Sequence, residues 1–165
     1  MALINKKTTL EECQRAALLL KQAGIHWTGY FMIGLPTETR GEMLKTLEFM
    51  KKLAPDFASI SIYEPFPGTA MFDLGIEKGL VERERTLSDF FTISPKYYYV
   101  KDINRRIDTL SNEEFKEIED EIKEAFHKYN MGISRLVKRL RSRSRLYLRE
   151  PKTILSDFRK FLSWL

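Results

Sequence analysis

An apolar run that ends abruptly at a glycine constrains this chain more than any other feature. Residues 30–33 read Tyr-Phe-Met-Ile, Gly34 follows, and residues 36–39 read Pro-Thr-Glu-Thr before helix-forming residues resume. This order predicts a buried strand, a tight turn and the start of a helix. Gly34 would let backbone or a ligand approach closely, and Thr37 or Thr39 can cap the helix. Such a helix start suits a polar or anionic group, although every parallel β/α unit needs the same turn.

The first 63 residues alternate between helical and extended patterns. The predicted elements are a helix that starts at Thr8 or Thr9 and ends at Gly24, a strand over 25–33, a helix over 42–53 and a strand over 57–63. Elements of these lengths in this order predict parallel strands with helices packed outside them. Two strands and two or three helices cannot cover both faces of a parallel sheet. The pattern therefore predicts an α/β fold that is a piece of a larger barrel or sheet.

A rigid loop follows the second predicted strand. Residues 64–69 read Glu-Pro-Phe-Pro-Gly-Thr, in which the prolines and the glycine force an extended turn, and residues 69–78 predict a short helix. In a parallel α/β architecture this loop and the turn at Gly34 both follow the C-terminal ends of strands, the edge where such folds hold ligands. The loop either takes part in a ligand site or only shapes the connection, and the residues alone leave both readings open.

The remainder of the chain contains an irregular stretch and a helical part. Residues 81–108 are irregular and rich in aromatic side chains. A capping box formed by Ser111 and Glu114 begins a helix with an apolar stripe that runs up to Gly132. The predicted organisation is an α/β unit over 1–80, a connector over 81–110 and a helical extension over 111–165.

The C-terminal part is strongly basic. Residues 1–130 hold 18 Lys/Arg and 21 Asp/Glu, a balance of −3, whereas residues 131–165 hold 10 and 2, a balance of +8. Between positions 135 and 149, seven basic residues and no acidic one are interleaved with leucine, valine and tyrosine. This basic helix either binds a polyanion, such as RNA, DNA or an anionic membrane surface, or packs its apolar side on the domain and leaves a solvated cationic face.

Composition excludes several classes of protein and of site. The single cysteine, Cys13, excludes an internal disulfide and any multi-cysteine zinc or iron–sulfur site built from this chain alone. No metal site is therefore expected. No apolar run approaches the roughly 20 residues of a membrane span, and no signal peptide is evident, so we expect a cytoplasmic protein without a membrane span. No candidate general acid or base has a partner at a diagnostic spacing, which leaves catalytic residues unassigned.

Two motifs in succession carry a family resemblance. Gly-Leu-Pro-Thr-Glu-Thr at 34–39, followed by Pro-Phe-Pro-Gly-Thr at 65–69, resembles the C-terminal half of a radical S-adenosylmethionine domain. The sequence looks most like the cobalamin-binding class, which includes the anaerobic magnesium-protoporphyrin IX monomethyl ester oxidative cyclases. The opening segment, 3–10, is similar to the part that follows the family's fourth barrel strand, so the resemblance covers residues 3–80.

The resemblance implies a partial (β/α)6 barrel, of which this chain holds the fifth and sixth strands. Members of the family reductively cleave S-adenosylmethionine at a four-iron four-sulfur cluster and use the 5′-deoxyadenosyl radical to abstract hydrogen. Carried over by position, Met32 and Gly34 would line the adenine pocket, and Glu38 would order the turn. The other wall of the pocket would be formed by Phe66, Pro67 and Gly68.

The family's cluster motif, C-x-x-x-C-x-x-C, does not occur here, and Cys13 cannot replace three thiolates. The resemblance therefore implies the C-terminal portion of a radical S-adenosylmethionine oxidoreductase, cyclase or methyltransferase that is not catalytic alone. Its partner would be the missing N-terminal barrel half, in the same parent chain or a separate subunit, and the parent could also bind cobalamin. The alternatives are a non-catalytic module whose basic tail binds a polyanion such as RNA, and a homo-oligomer that covers the open sheet edge.

Overall fold

The structure is a computed structural model that describes residues 7–64, 68–81 and 107–156. In chain order its elements are α1 (Leu10–Gln22), β1 (Thr28–Ile33), α2 (Arg40–Leu53), β2 (Phe57–Ile62), α3 (Ala70–Glu77), α4 (Asn112–Asn130) and α5 (Ile133–Arg149). Residues 152–156 are also helical. Within these ranges, no helix combines the length and the apolar character needed to cross a membrane. Most of the predicted aromatic connector lies outside the described residues.

Strands β1 and β2 form a parallel sheet, as the alternation of helix and strand predicted. The register pairs Phe31 with Ile60 and Ile33 with Ile62. Successive side chains of a strand point to opposite faces, so these residues share one face of the sheet and Met32 lies on the other. The α/β class is therefore confirmed, with β1 starting three residues later than predicted.

The core lies between one face of the sheet and helices α2 and α4. Its buried side chains come from both strands, both helices and the segment before α4, namely Ile33, Met43, Leu47, Met50, Ala58, Ile107, Phe115, Ile118, Ile122 and Phe126. The rings of Phe31 and Phe126 meet edge to face, with centroids 5.5 Å apart. The apolar stripe predicted for α4 therefore packs directly on the α/β unit, and the division of the chain into three parts stays a prediction.

Three helices begin with a capping box. The caps of α1, α2 and α4 are Thr9, Thr39 and Ser111, whose hydroxyl oxygens accept from a backbone N–H three residues later. A glutamate at that later position accepts from the backbone N–H of the cap in return, so two free donors are satisfied at each start. The sequence offered two threonines as the cap of α1, Thr8 and Thr9, and two as the cap of α2, Thr37 and Thr39. In both helices the later threonine is the cap.

A side chain pairs with the outer edge of β2. Asn130, the last residue of α4, is buried, and its Nδ2 donates to the Ala58 carbonyl at 2.7 Å while its Oδ1 accepts from the Ala58 N–H at 2.9 Å. A neighbouring strand would make these same bonds, so Asn130 replaces a strand at this point. The Tyr129 hydroxyl donates to the Pro55 carbonyl at 2.8 Å just before β2 begins.

Helix α5 contacts the domain through polar side chains, and the two interpretations of the basic helix stay predictions. The Lys138 ammonium lies 2.5 Å from a carboxylate oxygen of Asp56, and the Arg135 guanidinium lies 3.5 Å from the centre of the Tyr129 ring. These polar contacts fix the inward side of the helix. The exposed apolar residues of the helix are Ile133, Val137, Leu140, Leu146 and Leu148.

We expect Asn130→Ala to lower the free energy of unfolding by about 2–4 kcal/mol. The substitution leaves the N–H and the carbonyl of Ala58 buried without their partner, and each orphaned group costs about 1–3 kcal/mol. Urea denaturation measures the change. The control is Glu117→Ala, an exposed position on the same helix, for which a change within about 0.5 kcal/mol is expected. Equal effects of the two substitutions would contradict the pairing.

Candidate functional site

The turn after β1 and the first residues after β2 start at the C-terminal ends of adjacent strands. Because Ile33 pairs with Ile62, the residues that leave the sheet, Gly34 and Tyr63, start at the same level on adjacent strands. The Tyr63 N–H donates to the Ile33 carbonyl at 2.8 Å and extends the ladder by one bond. Neighbouring strands lie about 4.8 Å apart, so the turn after β1 and the loop after β2 leave the sheet side by side.

The side chain of Glu38 closes the turn after β1. Its Oε2 accepts from the N–H of Gly34 at 2.6 Å and from the N–H of Leu35 at 3.1 Å. The Glu38 N–H in turn donates to the Leu35 carbonyl at 2.9 Å. Glu38 thus joins the two sides of the turn through hydrogen bonds, and α2 starts immediately afterwards with its own cap.

Burial raises the pKa of the Glu38 carboxyl above its ordinary value, and the N–H groups of Leu35 and Gly34 oppose that rise. The nearby Glu42 carboxylate adds a smaller upward contribution. Desolvation disfavours the charged form, whereas the two N–H donors stabilise it. The carboxylate is therefore held by the backbone of the turn rather than directed toward a reacting group.

Gly34 is buried, and its φ of +84° lies in the left-handed region. A Cβ atom at this position would meet Phe115 Cζ at 3.0 Å and Ile62 Cγ2 at 3.3 Å. Two constraints of the fold therefore require glycine here: the backbone conformation and the close approach of α4. A ligand is not needed to explain the residue, and its predicted contact with adenine stays a prediction.

Asp108 and Thr109, which precede α4, form a brace that holds the turn after β1. The Asp108 N–H donates to the Pro36 carbonyl at 2.9 Å, and the Thr109 hydroxyl donates to the Glu38 carbonyl at 2.5 Å. The Lys78 ammonium lies 2.5 Å from an Asp108 carboxylate oxygen and ties α3 to the same place. Sequence reasoning missed this brace, because the contacting residues are 30 or more positions apart and show no local pattern.

The predicted adenine-contacting residues are distributed between the sheet and the loop. Met32 is 48% exposed on the sheet face opposite the core, beside Tyr30, which is 80% exposed. Gly68 has a φ of +81° with open space where a Cβ would stand, and Thr69 caps α3 next to it. The predicted residues Phe66 and Pro67 lie outside the described residues. Their roles stay predictions.

The residues present fit a wall of a nucleoside pocket but not an iron–sulfur cluster. Met32 offers an exposed apolar side chain near the end of β1, which suits contact with an aromatic base. The single cysteine, Cys13, is half-buried on α1 and cannot supply the thiolates of a cluster. Across residues 7–64, 68–81 and 107–156, no group of three or more histidine, cysteine or acidic side chains could hold a metal.

Alanine substitutions at three glycines in different environments should change the free energy of unfolding by different amounts. We expect Gly34→Ala to cost about 2–4 kcal/mol, because left-handed strain is worth about 1–2 kcal/mol and the contact with Phe115 adds to it. Gly68→Ala meets only the strain and should cost about 1–2 kcal/mol. Gly41→Ala, in an open position of α2, should stabilise by about 0.4–1 kcal/mol. Thermal unfolding ranks the three, and equal effects at positions 34 and 68 would remove the packing argument.

The raised pKa of Glu38 predicts a specific pH dependence. The folded chain binds this proton more readily than the unfolded chain, so the contribution of Glu38 to stability is complete below its ordinary pKa of 4.5 and is lost as pH rises through the folded value. Glu38→Gln keeps an oxygen acceptor but does not titrate. The difference in unfolding free energy, wild type minus variant, should therefore fall between pH 4 and pH 7.

Glu42 is the matched control of opposite sign. The backbone and side-chain hydrogen bonds from Thr39 lower its pKa, so its contribution to stability is lost as pH falls. For Glu42→Gln the same difference should rise with pH. If the difference in unfolding free energy changed with pH in the same direction for both variants, burial would not be what sets the pKa of the Glu38 carboxyl.

Comparison with known proteins identifies relatives over part of the chain. No family model matches. The chain is 38% identical over 78 residues to an uncharacterised methyltransferase of Pyrococcus horikoshii, which is 47% of this chain and 17% of that protein. It is 36% identical over 70 residues to the anaerobic magnesium-protoporphyrin IX monomethyl ester cyclase of Rubrivivax gelatinosus, 42% of this chain and 13% of the cyclase.

A third relative has another named activity. The chain is 28% identical over 89 residues to a tRNA-2-methylthio-N(6)-dimethylallyladenosine synthase of Buchnera aphidicola, 53% of this chain and 20% of that protein. The matched segment thus spans at most one fifth of the length of these three relatives. All of them belong to the radical S-adenosylmethionine family. The chain is therefore related, over roughly half its length, to radical S-adenosylmethionine enzymes, which confirms the resemblance carried by its motifs.

Proposed function

We propose that this chain is the C-terminal part of a radical S-adenosylmethionine enzyme, in which β1 and β2 are the fifth and sixth strands of a partial (β/α)6 barrel. It contributes walls of the S-adenosylmethionine pocket and is not catalytic alone. The parent reaction belongs to the oxidoreductase, cyclase or methyltransferase classes, as the names of the relatives suggest.

The exposed face of the sheet is the observation that carries this proposal. Parallel sheets are ordinarily covered on both faces, yet within residues 7–64, 68–81 and 107–156 helices α2 and α4 cover one face and leave the other exposed. On the other face Tyr30 is 80% and Met32 48% exposed, and Ser61 is exposed beside them. In a barrel, helices cover the outside and the inward side chains meet those of the other strands. We therefore assign the exposed face of the sheet to the barrel interior.

The capped edge of β2 supports its assignment as the last strand. Asn130 satisfies the outward N–H and carbonyl of Ala58, where a further strand would have to bind. In the part of the chain that the structure describes, β1 has β2 as its neighbour on one side and no strand on the other. Additional strands would therefore join beside β1, which is the arrangement expected when β2 ends a partial barrel.

In this arrangement each predicted residue has a limited task. Met32 packs against the adenine of S-adenosylmethionine, and Gly68 lets the loop after β2 approach it. Glu38 holds the turn after β1 in shape through the N–H groups of Gly34 and Leu35. The electron that cleaves S-adenosylmethionine comes from a four-iron four-sulfur cluster on the N-terminal half, in the same parent chain or in a separate subunit. A cobalamin domain in that half is compatible with the cyclase-like sequence.

Genomic DNA immediately upstream of the Met1 codon provides the first test. We expect a C-x-x-x-C-x-x-C motif to be encoded there, in frame or in a neighbouring frame, within about 150–200 codons, which is the size of the missing part of a barrel. The joined polypeptide, expressed anaerobically, should then form 5′-deoxyadenosine from S-adenosylmethionine and a reductant. Lack of any such upstream motif would overturn the version in which both halves belong to one parent chain. The version with a separate subunit would be overturned if co-expression with a cluster-bearing half gave no stable complex.

The joined polypeptide also tests the role of Met32. Met32→Asp should reduce 5′-deoxyadenosine formation at least tenfold by raising the KM for S-adenosylmethionine, because a charge replaces an apolar contact with the base. Met32 is half exposed in this chain, so the chain by itself should fold with the substitution. Leu19→Asp, at an exposed position on α1, is the control and should leave the KM unchanged. An unchanged KM in Met32→Asp would contradict the placement of Met32 in the S-adenosylmethionine pocket.

A further inference from the structure

Helix α5 presents an apolar stripe to solvent. Ile133 is 81% exposed, Leu140 is 59% exposed and Leu148 is 84% exposed, and Val137 lies between the first two on the same side. Residues at spacings of three, four and seven share one side of a helix. Ile154 and Leu155, in the helical segment that follows, are exposed as well. An apolar surface of this extent marks an interaction site.

The opposite side of α5 is held by the domain, so the stripe cannot simply rotate inward. Burial alone would raise the pKa of Asp56, but the Lys138 ammonium and the Trp27 N–H reverse that effect and hold the pKa below its ordinary value. The Arg135 guanidinium is stacked on Tyr129. The helix residues that line the space beneath α5 are Arg135, Lys138, Ser142 and Arg143, all of them polar.

The apolar stripe lies on a helix with a strong excess of basic residues. Arg141 and Arg149 are exposed, and α5 carries seven basic residues and no acidic one. Arg141 follows Val137 by four positions and precedes Leu148 by seven, so it borders the stripe. An apolar stripe with basic flanks is the pattern of helices that lie in the plane of a lipid surface, with leucines among the acyl chains and arginines at the headgroups.

We propose that α5 binds the surface of an anionic lipid bilayer through this stripe, as a peripheral contact. Charge complementarity favours an anionic bilayer over a second copy of the chain. A second copy docked through the same stripe would bring the exposed Arg141 of each copy toward the basic helix of the other, which costs energy. RNA would engage cations but would leave the leucines in water, and part of the basic side already faces the domain. The inference does not depend on the proposed enzymatic function.

Vesicle sedimentation with the full chain tests the proposal. We expect binding to vesicles of phosphatidylcholine with 30% phosphatidylglycerol and at least tenfold weaker binding to phosphatidylcholine alone, because each basic residue near an anionic surface contributes a factor of about five. Raising the salt from 0.05 to 0.5 M should weaken binding to the anionic vesicles, since the charges near the headgroups are screened.

Two variants separate the apolar contribution from the electrostatic one. Leu140→Asp should weaken binding to anionic vesicles about tenfold or more, through loss of a buried leucine and repulsion. Leu19→Asp removes a leucine of nearly equal exposure, 56%, from α1 and should bind like the wild type. Arg141→Gln should weaken binding about fivefold. Circular dichroism confirms that each variant keeps its helix content.

Three outcomes would overturn the proposal. The first is equal vesicle binding by Leu140→Asp and the wild type. The second is binding of a single-stranded RNA more tightly than of anionic vesicles, unaffected by Leu140→Asp, which would assign the helix to nucleic acid. The third is a dimer in light scattering that Leu140→Asp converts to a monomer, without vesicle binding by the wild type, which would assign the stripe to a second copy.

Discussion

Helix α4 holds the two strands together at both ends, and the geometry of the rest of the chain depends on it. At the C-terminal end of the strands, Phe115 fills the space beside Gly34. At the N-terminal end, Asn130 binds both backbone groups of Ala58. A two-stranded parallel sheet is not stable alone in water, and the apolar stripe of α4 supplies the surface that it lacks. The turn after β1 therefore has the shape that α4 permits.

This dependence changes how the glycine motif is interpreted. The residues that most resemble a cofactor site are also those that the core requires, because Gly34 meets α4 and Glu38 binds the backbone of its own turn. Their presence alone does not distinguish a pocket from a well-built β/α turn. The distinction comes from the side of the sheet that the core does not use, where Met32 and Tyr30 remain exposed. Function is therefore argued from an uncovered surface rather than from the motif.

Elements with strong local signals were predictable from the sequence. The capping residues Thr39 and Ser111 begin their helices because hydroxyl, glutamate and backbone donors lie within four residues of one another. The parallel pairing of the strands followed from helix and strand order. The start of β1 was placed too early because the Trp27 N–H binds the Asp56 carboxylate, 29 positions away, before the ladder begins. The strand-like partner Asn130 and the brace at Thr109 were missed for the same reason: sequence patterns describe near neighbours.

The orientation of α5 shows the same principle on a larger scale. Periodicity establishes that a helix has an apolar and a basic side, but it does not establish which side faces the domain. Burial of leucines ordinarily decides that question. Here the domain offers α5 a carboxylate at Asp56 and an aromatic ring at Tyr129, which attract cations and give leucine little to pack against. The apolar side is consequently turned outward. An amphipathic helix that is attached through its polar side presents its hydrophobic residues to a further partner, and its excess of arginine favours a partner that is negatively charged.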